Sequence, residues 1–87
     1  MNHRTLPRFW KRYQQLPKEI QELADKSFDL LKSDPYHPSL HFKQVDRDRK
    51  LWSARVGSRY RALGREKPGG IVWFWIGTHA EYDKLLD

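Results

Sequence analysis

The chain has 87 residues and no cysteine, which excludes disulfide staples, thiolate chemistry and cysteine-ligated zinc. A chain of this length is expected to form one domain, 1–87, that buries only roughly 60–65 % of its unfolded surface. The core must therefore be small and rich in its large aromatics, Trp10, Trp52, Trp73 and Trp75 among them. The formal charge of +6 is blocked along the chain rather than interspersed, the electrostatic footprint of a polyanionic partner.

The first segment, "MNHRTLPRFWKRY", carries Arg4, Arg8, Lys11 and Arg12 with no acid. It lacks the apolar run of a signal peptide, so a cytoplasmic setting is expected, and His3 is read as part of a mobile tail. Leu6, Phe9, Trp10 and Tyr13 then fall at i, i+3, i+4 and i+7. This spacing predicts a helix with Thr5 as N-cap, Pro7 in the first turn and Trp10 in the core. "LPKEIQELADKSFDLLKSD" repeats the pattern with Ile20, Leu23, Ala24, Ser27, Phe28 and Leu31. Pro17 suits the first position of this second helix, and Asp34-Pro35 ends it because the residue before proline avoids the α region. The short joint at Gln15–Pro17 makes the two helices an antiparallel hairpin. "PYHPS" (35–39) reads as a loop, with His37 on the surface.

Beyond the loop the period changes. Leu40 and Phe42 alternate with His41 and Lys43 and suggest a short strand; "DRDRK" (46–50) is a charged turn. "LWSARV" (51–56) puts Trp52, Ala54 and Val56 on one face, with Ser53 and Arg55 on the other. After the turn signal Gly57-Ser58, "RYRAL" puts Tyr60 and Ala62 opposite Arg59, Arg61 and Leu63. Pro68-Gly69-Gly70 demands a tight turn. Ile71–Ile76 is apolar on both faces, as in a covered central strand, with Trp73 and Trp75 expected on one side and Phe74 on the other; it is too short to span a bilayer, and no membrane association is expected. Glu81–Leu86 reads as a short helix. The fold predicted is α+β, a helical hairpin packed on a small, mostly antiparallel sheet.

The alternation also says where the arginines point. Residues 43–67 hold Lys43, Arg47, Arg49, Lys50, Arg55, Arg59, Arg61, Arg65 and Lys67 against Asp46, Asp48 and Glu66. If Trp52, Ala54, Tyr60 and Ala62 meet the helices, Arg55, Arg59 and Arg61 share the far face, where like charges repel unless an anion neutralises them. The alternative is that each pairs with an acid, Asp46, Asp48, Glu66 or Glu81.

The ordered set "LPKEIQELADKSFDLLKSDPYHPSLHFKQV", "LWSARVGSRYRAL" and "IVWFWIGTHAEYDKLL" resembles the RelE/ParE superfamily of toxins from type II toxin–antitoxin systems, over nearly all of the chain from Leu16 onward. The resemblance implies a curved sheet, a cognate antitoxin as partner and, in the RelE/YafQ-like branch, ribosome-dependent cleavage of mRNA that inhibits translation. It implies that Arg61 in "SRYRAL" holds the scissile phosphate and that Arg55 is a second basic position. His79 in "IGTHAEY" would be the general acid or base, and Tyr82 lies near an aromatic position used to stack a base. The sequence departs from the family in three places: paired lysines are missing on the strand of Arg55, the turn "VGSR" is one residue longer, and no N-terminal strand is visible in "MNHRTLPRF".

The chemistry is coherent without the resemblance. RNA can be cut with no metal or other cofactor by attack of a 2′-OH on the adjacent phosphorus. Histidine, with its ordinary pKa of about 6.5, can carry the proton. Arginine suits the phosphorane because its planar fork binds two oxygens and stays charged. Lys43, Arg47, Arg49, Lys50 and Arg59 are the expected RNA-binding cations. A second proton carrier would be His41, Lys43, Glu81 or Tyr82. His41 and His79 have no carboxylate at an evident ligand spacing, so no metal site is expected. The other function class is a non-catalytic, ParE-like binder of a protein target such as gyrase. His79 discriminates the two, since a pure binder has no need of a titratable group there.

Overall fold

The computed structural model describes residues 2–87. Strand β1 (Asn2–Thr5) leads into helix α1 (Pro7–Gln14) and helix α2 (Lys18–Ser33). One 3-10 turn (Pro38–Leu40) precedes the strands β2 (Lys43–Asp46), β3 (Leu51–Val56), β4 (Tyr60–Lys67) and β5 (Gly70–Thr78), and helix α3 (His79–Leu86) follows. The five strands form one sheet in the order β1-β5-β4-β3-β2, antiparallel throughout except for β1, which runs parallel to β5. The predicted α+β architecture, a helical hairpin on a mostly antiparallel sheet with a short C-terminal helix, is the one observed.

The hairpin is closed by side chains as well as by packing. Proline at the start of α1 needs no amide donor there, and Lys11 and Arg12 in its last turn suit the negative end of the helix dipole. The Gln21 side-chain amide donates to the carbonyls of Tyr13 and Leu16 at 3.1 and 3.2 Å, tying α2 to the chain where α1 ends. The Tyr13 hydroxyl donates to Asp25 at 2.7 Å. One face of the sheet meets this hairpin in a core of Phe9, Ala24, Leu31, Leu40, Phe42, Ala54, Val56, Ala62, Ile71, Trp73 and Ile76. A smaller core of Leu63, Trp75 and Tyr82, joined by Val45, Phe74 and Leu86, lies on the other face under α3.

Several expectations are corrected. The N-terminal segment is not a mobile tail but the edge strand β1, anchored by Asn2 N–H to the Gly69 carbonyl (2.9 Å) and followed by Leu6 N–H to the Trp73 carbonyl (3.0 Å). Its inward residue is His3, whose ring stacks on Trp73 with 6.0 Å between centroids and whose Nδ1 accepts the Trp73 indole N–H at 3.1 Å. Thr5 is not the N-cap of α1; Leu6 holds that position without a side-chain bond, and the Thr5 hydroxyl accepts from the Trp10 indole at 2.8 Å. Trp10 is 40 % exposed, and Phe9, at 7 %, is the core residue of that turn. Leu40 and Phe42 are buried but precede β2, because the chain makes a 3-10 turn and then takes a left-handed conformation at His41 (φ 45°).

A β-bulge corrects the last strand. Leu63 faces Trp75 and Gly64 faces Trp73, so Phe74 is an extra residue on β5. The pleat shifts by one residue there, and Trp73 goes to the hairpin core while Trp75 goes to the α3 core. The two tryptophans expected on one face thus anchor opposite faces.

Candidate functional site

The face away from the hairpin carries the arginines singled out from the sequence as site candidates. Arg55 on β3 and Arg61 on β4 are direct cross-strand partners, and Arg61 in turn faces Gly77 on β5. Both arginines are partly exposed. Arg55 Nε donates to the Gly57 carbonyl at 2.8 Å, across a turn in which Gly57 takes φ +62°, a region that glycine enters without steric cost. Arg61 Nη1 donates weakly to its neighbour's carbonyl, Tyr60 O, at 3.4 Å. Burial, and then the Arg55 charge, hold the Arg61 guanidinium below its ordinary pKa, opposed by Tyr82 and Asp83. It still stays protonated in the neutral range.

Neither arginine forms an ion pair among the described residues, and three of the four acids proposed as partners are engaged elsewhere. Asp46 takes Arg49 Nε at 2.6 Å, and the backbone and side chain of Arg49 together pull its carboxyl below the usual range. Glu66 accepts the Trp52 indole N–H at 2.9 Å. Glu81 accepts Arg12 Nη2 at 3.1 Å, and the backbone N–H and hydroxyl of Thr78 at 3.0 Å each. Asp46, Glu66 and Glu81 are thus committed away from the paired cations.

His79 is brought to the same end of the sheet by a strand-to-helix junction. Thr78 and Glu81 form a capping box, with the Thr78 hydroxyl accepting from Glu81 N–H and the Glu81 carboxylate accepting from Thr78 N–H. Gly77 belongs to the strand and makes no bend; a Cβ there would lie 2.6 Å from Trp75 Cζ2 and 2.9 Å from Glu81 Oε1, so this position is glycine for close approach. His79 is thereby the first residue of α3, its N–H bound to the Arg59 carbonyl at 2.8 Å. Its half-exposed ring opens on a shallow groove with Ser58, Arg59, Tyr60 and Thr78. His79 Nε2 lies 3.5 Å from Asp83 Oδ2, one helical turn on, and that same carboxylate acts on Arg61. Asp83 was not singled out from the sequence, although the i, i+4 spacing from His79 in "HAEYD" is its signal.

Tyr82, which the resemblance puts near a base-stacking position, lies beside His79 with 5.8 Å between ring centroids but is buried. It is 7 % exposed, and its hydroxyl donates to Ser53 Oγ at 3.2 Å in the α3 core, so its ring offers no free face for a base. Of the expected RNA-binding cations, Arg59 borders the His79 groove. Lys43, Arg47, Arg49 and Lys50 lie on β2 and the β2–β3 turn, at the far edge of the sheet, and Arg49 is held by Asp46. Among the described residues no three His, Asp or Glu side chains gather as metal ligands.

A small α+β domain with an arginine pair outside any ion pair and an exposed histidine at a strand end has the makings of a candidate anion site. Residues 18–84 match the family model of the ParE-like toxin domain, and the chain belongs to this family, within the RelE/ParE superfamily of toxins. The fold is that of the RelB-RelE antitoxin-toxin complex from Methanococcus jannaschii, with a TM-score of 0.74, 13 % identity, and coverage of 97 % of this chain and 99 % of that one. It is similarly shared with YafQ from E. coli strain BL21(DE3), at TM-score 0.73, 13 % identity and coverage of 93 % and 96 %. The toxin-antitoxin complex RelBE2 from Mycobacterium tuberculosis superposes at TM-score 0.67 with 21 % identity, covering 90 % and 96 %. No curated protein sequence matches significantly.

Proposed function

We propose that this protein is the toxin of a toxin–antitoxin pair and cuts mRNA on the ribosome without a metal, with a cognate antitoxin as its inhibitory partner. The observation that carries the reading is the Arg55–Arg61 pair, in register on adjacent strands with no carboxylate committed to either. Two guanidiniums side by side suit a phosphodiester whose non-bridging oxygens gain charge as the 2′-oxygen attacks. In this reading Arg61, partly buried and beside Asp83 and Tyr82, holds the phosphate, and Arg55 shares the developing charge. His79 carries a proton, from the 2′-hydroxyl or to the departing 5′-oxygen, and the products are a 2′,3′-cyclic phosphate and a free 5′-hydroxyl. Asp83 keeps the imidazole oriented. The ribosome supplies part of the positioning, which a cleft this open needs.

The second reading is a toxin that binds a protein target, gyrase for instance, without chemistry. It is favoured by one fact: Tyr82, one of the candidates for a second proton carrier, is buried with its hydroxyl bound to Ser53. A cell-free translation assay with primer extension on the mRNA separates the two. The expected result is discrete cuts that fall ~10²–10⁴-fold for His79→Gln, which keeps hydrogen bonding but cannot cycle a proton. Arg61→Lys, which keeps the charge and loses the fork, should also cut less. Cleavage by His79→Gln at the parental rate, or inhibition of supercoiling by gyrase with intact mRNA, would overturn the ribonuclease reading.

A further inference from the structure

The face that carries Arg55 and Arg61 bears a second basic row at its opposite end. Arg4 on β1 and Arg65 on β4 both pair in register with Val72 on β5, so two cations flank one valine across three adjacent strands. Lys67 projects from the same face two residues beyond Arg65. Arg8, from α1, reaches the same patch: its guanidinium lies 4.8 Å from the centre of the Phe74 ring, and that of Arg65 lies 6.0 Å from it. These side chains line two adjoining shallow grooves, completed by Leu6, Pro68 and Val72, with no acidic residue in either lining. Arg4, Arg8, Arg65 and Lys67 are all exposed, and none has an ion-pair partner among the described residues. The nearest acid in sequence, Glu66, points to the other face, where it holds Trp52.

Arg65 lies four residues beyond Arg61 on β4, about 13 Å at the rise of a strand. Between the two rows lie Leu63, Trp75 and Tyr82, so they are separate sites rather than one long patch. Arg4 and Arg65 stand one strand apart on either side of Val72, and neither meets an acid across the sheet, since the other partner of Arg65 is Leu51. Two of these guanidiniums rest over an aromatic ring that limits their freedom while their N–H forks stay unpaired, a pre-organised arrangement for phosphate oxygens.

We propose that Arg4, Arg8, Arg65 and Lys67 form a second phosphodiester-binding site, which holds RNA backbone away from the Arg61–His79 end. The proposal adds an anchoring site to the RNA-directed reading above but does not need cleavage to occur. An RNA strand is favoured over an acidic protein segment because three of the four cations are guanidiniums, two of them beside the ring of Phe74, a combination suited to phosphates and bases together.

The test is binding of a fluorescein-labelled single-stranded oligoribonucleotide, followed by anisotropy over a range of salt, with poly-L-glutamate as a competing acidic chain. In the Arg4→Gln, Arg65→Gln, Lys67→Gln triple variant, affinity should fall and the log Kd–log salt slope should shrink by about 2, near 0.7 for each lost phosphate contact. If the triple variant fails to melt like the parent, Arg8→Gln alone, on the surface of α1, should reduce the slope by about 0.7. An unchanged slope in a folded variant overturns the proposal. So does a variant that loses poly-L-glutamate while keeping RNA, which would make the occupant an acidic protein. Primer extension on ribosomes keeps the two readings apart: a chain that cuts mRNA with an unmoved slope defeats only this site, and one whose slope falls without cutting defeats only the ribonuclease.

Discussion

The buried contact between Tyr82 and Ser53 decides whether α3 is held by its tyrosine or offers that tyrosine to a substrate. The hydroxyl of Tyr82, 7 % exposed, donates at 3.2 Å to Ser53 Oγ, 2 % exposed. Tyr82→Phe keeps the ring and its packing on Leu63 and Trp75 but leaves the Ser53 hydroxyl without its partner in a dry site. Such an orphaned group costs about 1–2 kcal/mol. In a domain of this size that lowers Tm by roughly 4–8 °C per kcal/mol. Removing both polar groups in Tyr82→Phe/Ser53→Ala should cost much less than the sum of the single changes, since no polar atom is then left unpaired. Urea unfolding followed by tryptophan fluorescence gives the four stabilities of the cycle. The expected interaction energy is about 1 kcal/mol or more. Strict additivity would refute the reasoning, and so would a ≥10²-fold loss of mRNA cleavage in a stable Tyr82→Phe, which would make the hydroxyl a proton carrier.

Three further outcomes follow from the packing. Phe9→Ala should cost about 3–5 kcal/mol, whereas Trp10→Ala, at a ring 40 % exposed, should cost about 1 kcal/mol from its bond to Thr5 and its contacts with Phe9 and Tyr13; thermal melts of the two should differ accordingly. Gly77→Ala should destabilise by about 1–3 kcal/mol, because the indole of Trp75 is too enclosed to yield to a Cβ at 2.6 Å; urea midpoints equal to the parent's would contradict the packing. Burial lowers the pKa of His3, so the folded state binds that proton less readily than the unfolded chain does. Stability should therefore fall as pH drops below the ordinary histidine value of about 6.5, and His3→Phe should remove that loss when unfolding midpoints are compared between about pH 7.5 and about pH 5.

The elements with strong periodicity were legible. The apolar stripe of α2 and the alternation of β3 and β4 placed the hairpin on one face and Arg55 and Arg61 on the other, as observed. β1 was hidden because its inward residue is a histidine, polar by composition, whose flat ring nevertheless packs on Trp73. The bulge at Phe74 could not be read from "IVWFWI", since a shift of one residue leaves no trace in an all-apolar run. The junction before His79 was readable: Thr78 and Glu81 carry the capping-box spacing in "THAE", which starts the helix at His79 rather than at Glu81. The burial of Tyr82 depends on a partner 29 residues away, Ser53, and no local pattern announces it.

The parallel pairing of β1 with β5 bears on how the chain acquires its structure. Asn2 through Thr5 find their partners at Gly70 through Trp73, and Arg12 reaches across to the Ile76 carbonyl at 2.7 Å and to Glu81. Contacts of such sequence separation carry a large loop-closure entropy and form late. During synthesis β1 and the hairpin of α1 and α2 emerge before the other strands, with the hairpin's apolar face uncovered and no sheet to dock on. β1 waits as an unpaired strand until β5 has left the ribosomal tunnel. The row of Arg4, Arg8, Arg65 and Lys67, assembled from β1, α1 and β4, comes together only at that last step, whereas Arg55 and Arg61 share the local β3–β4 hairpin and can meet before it.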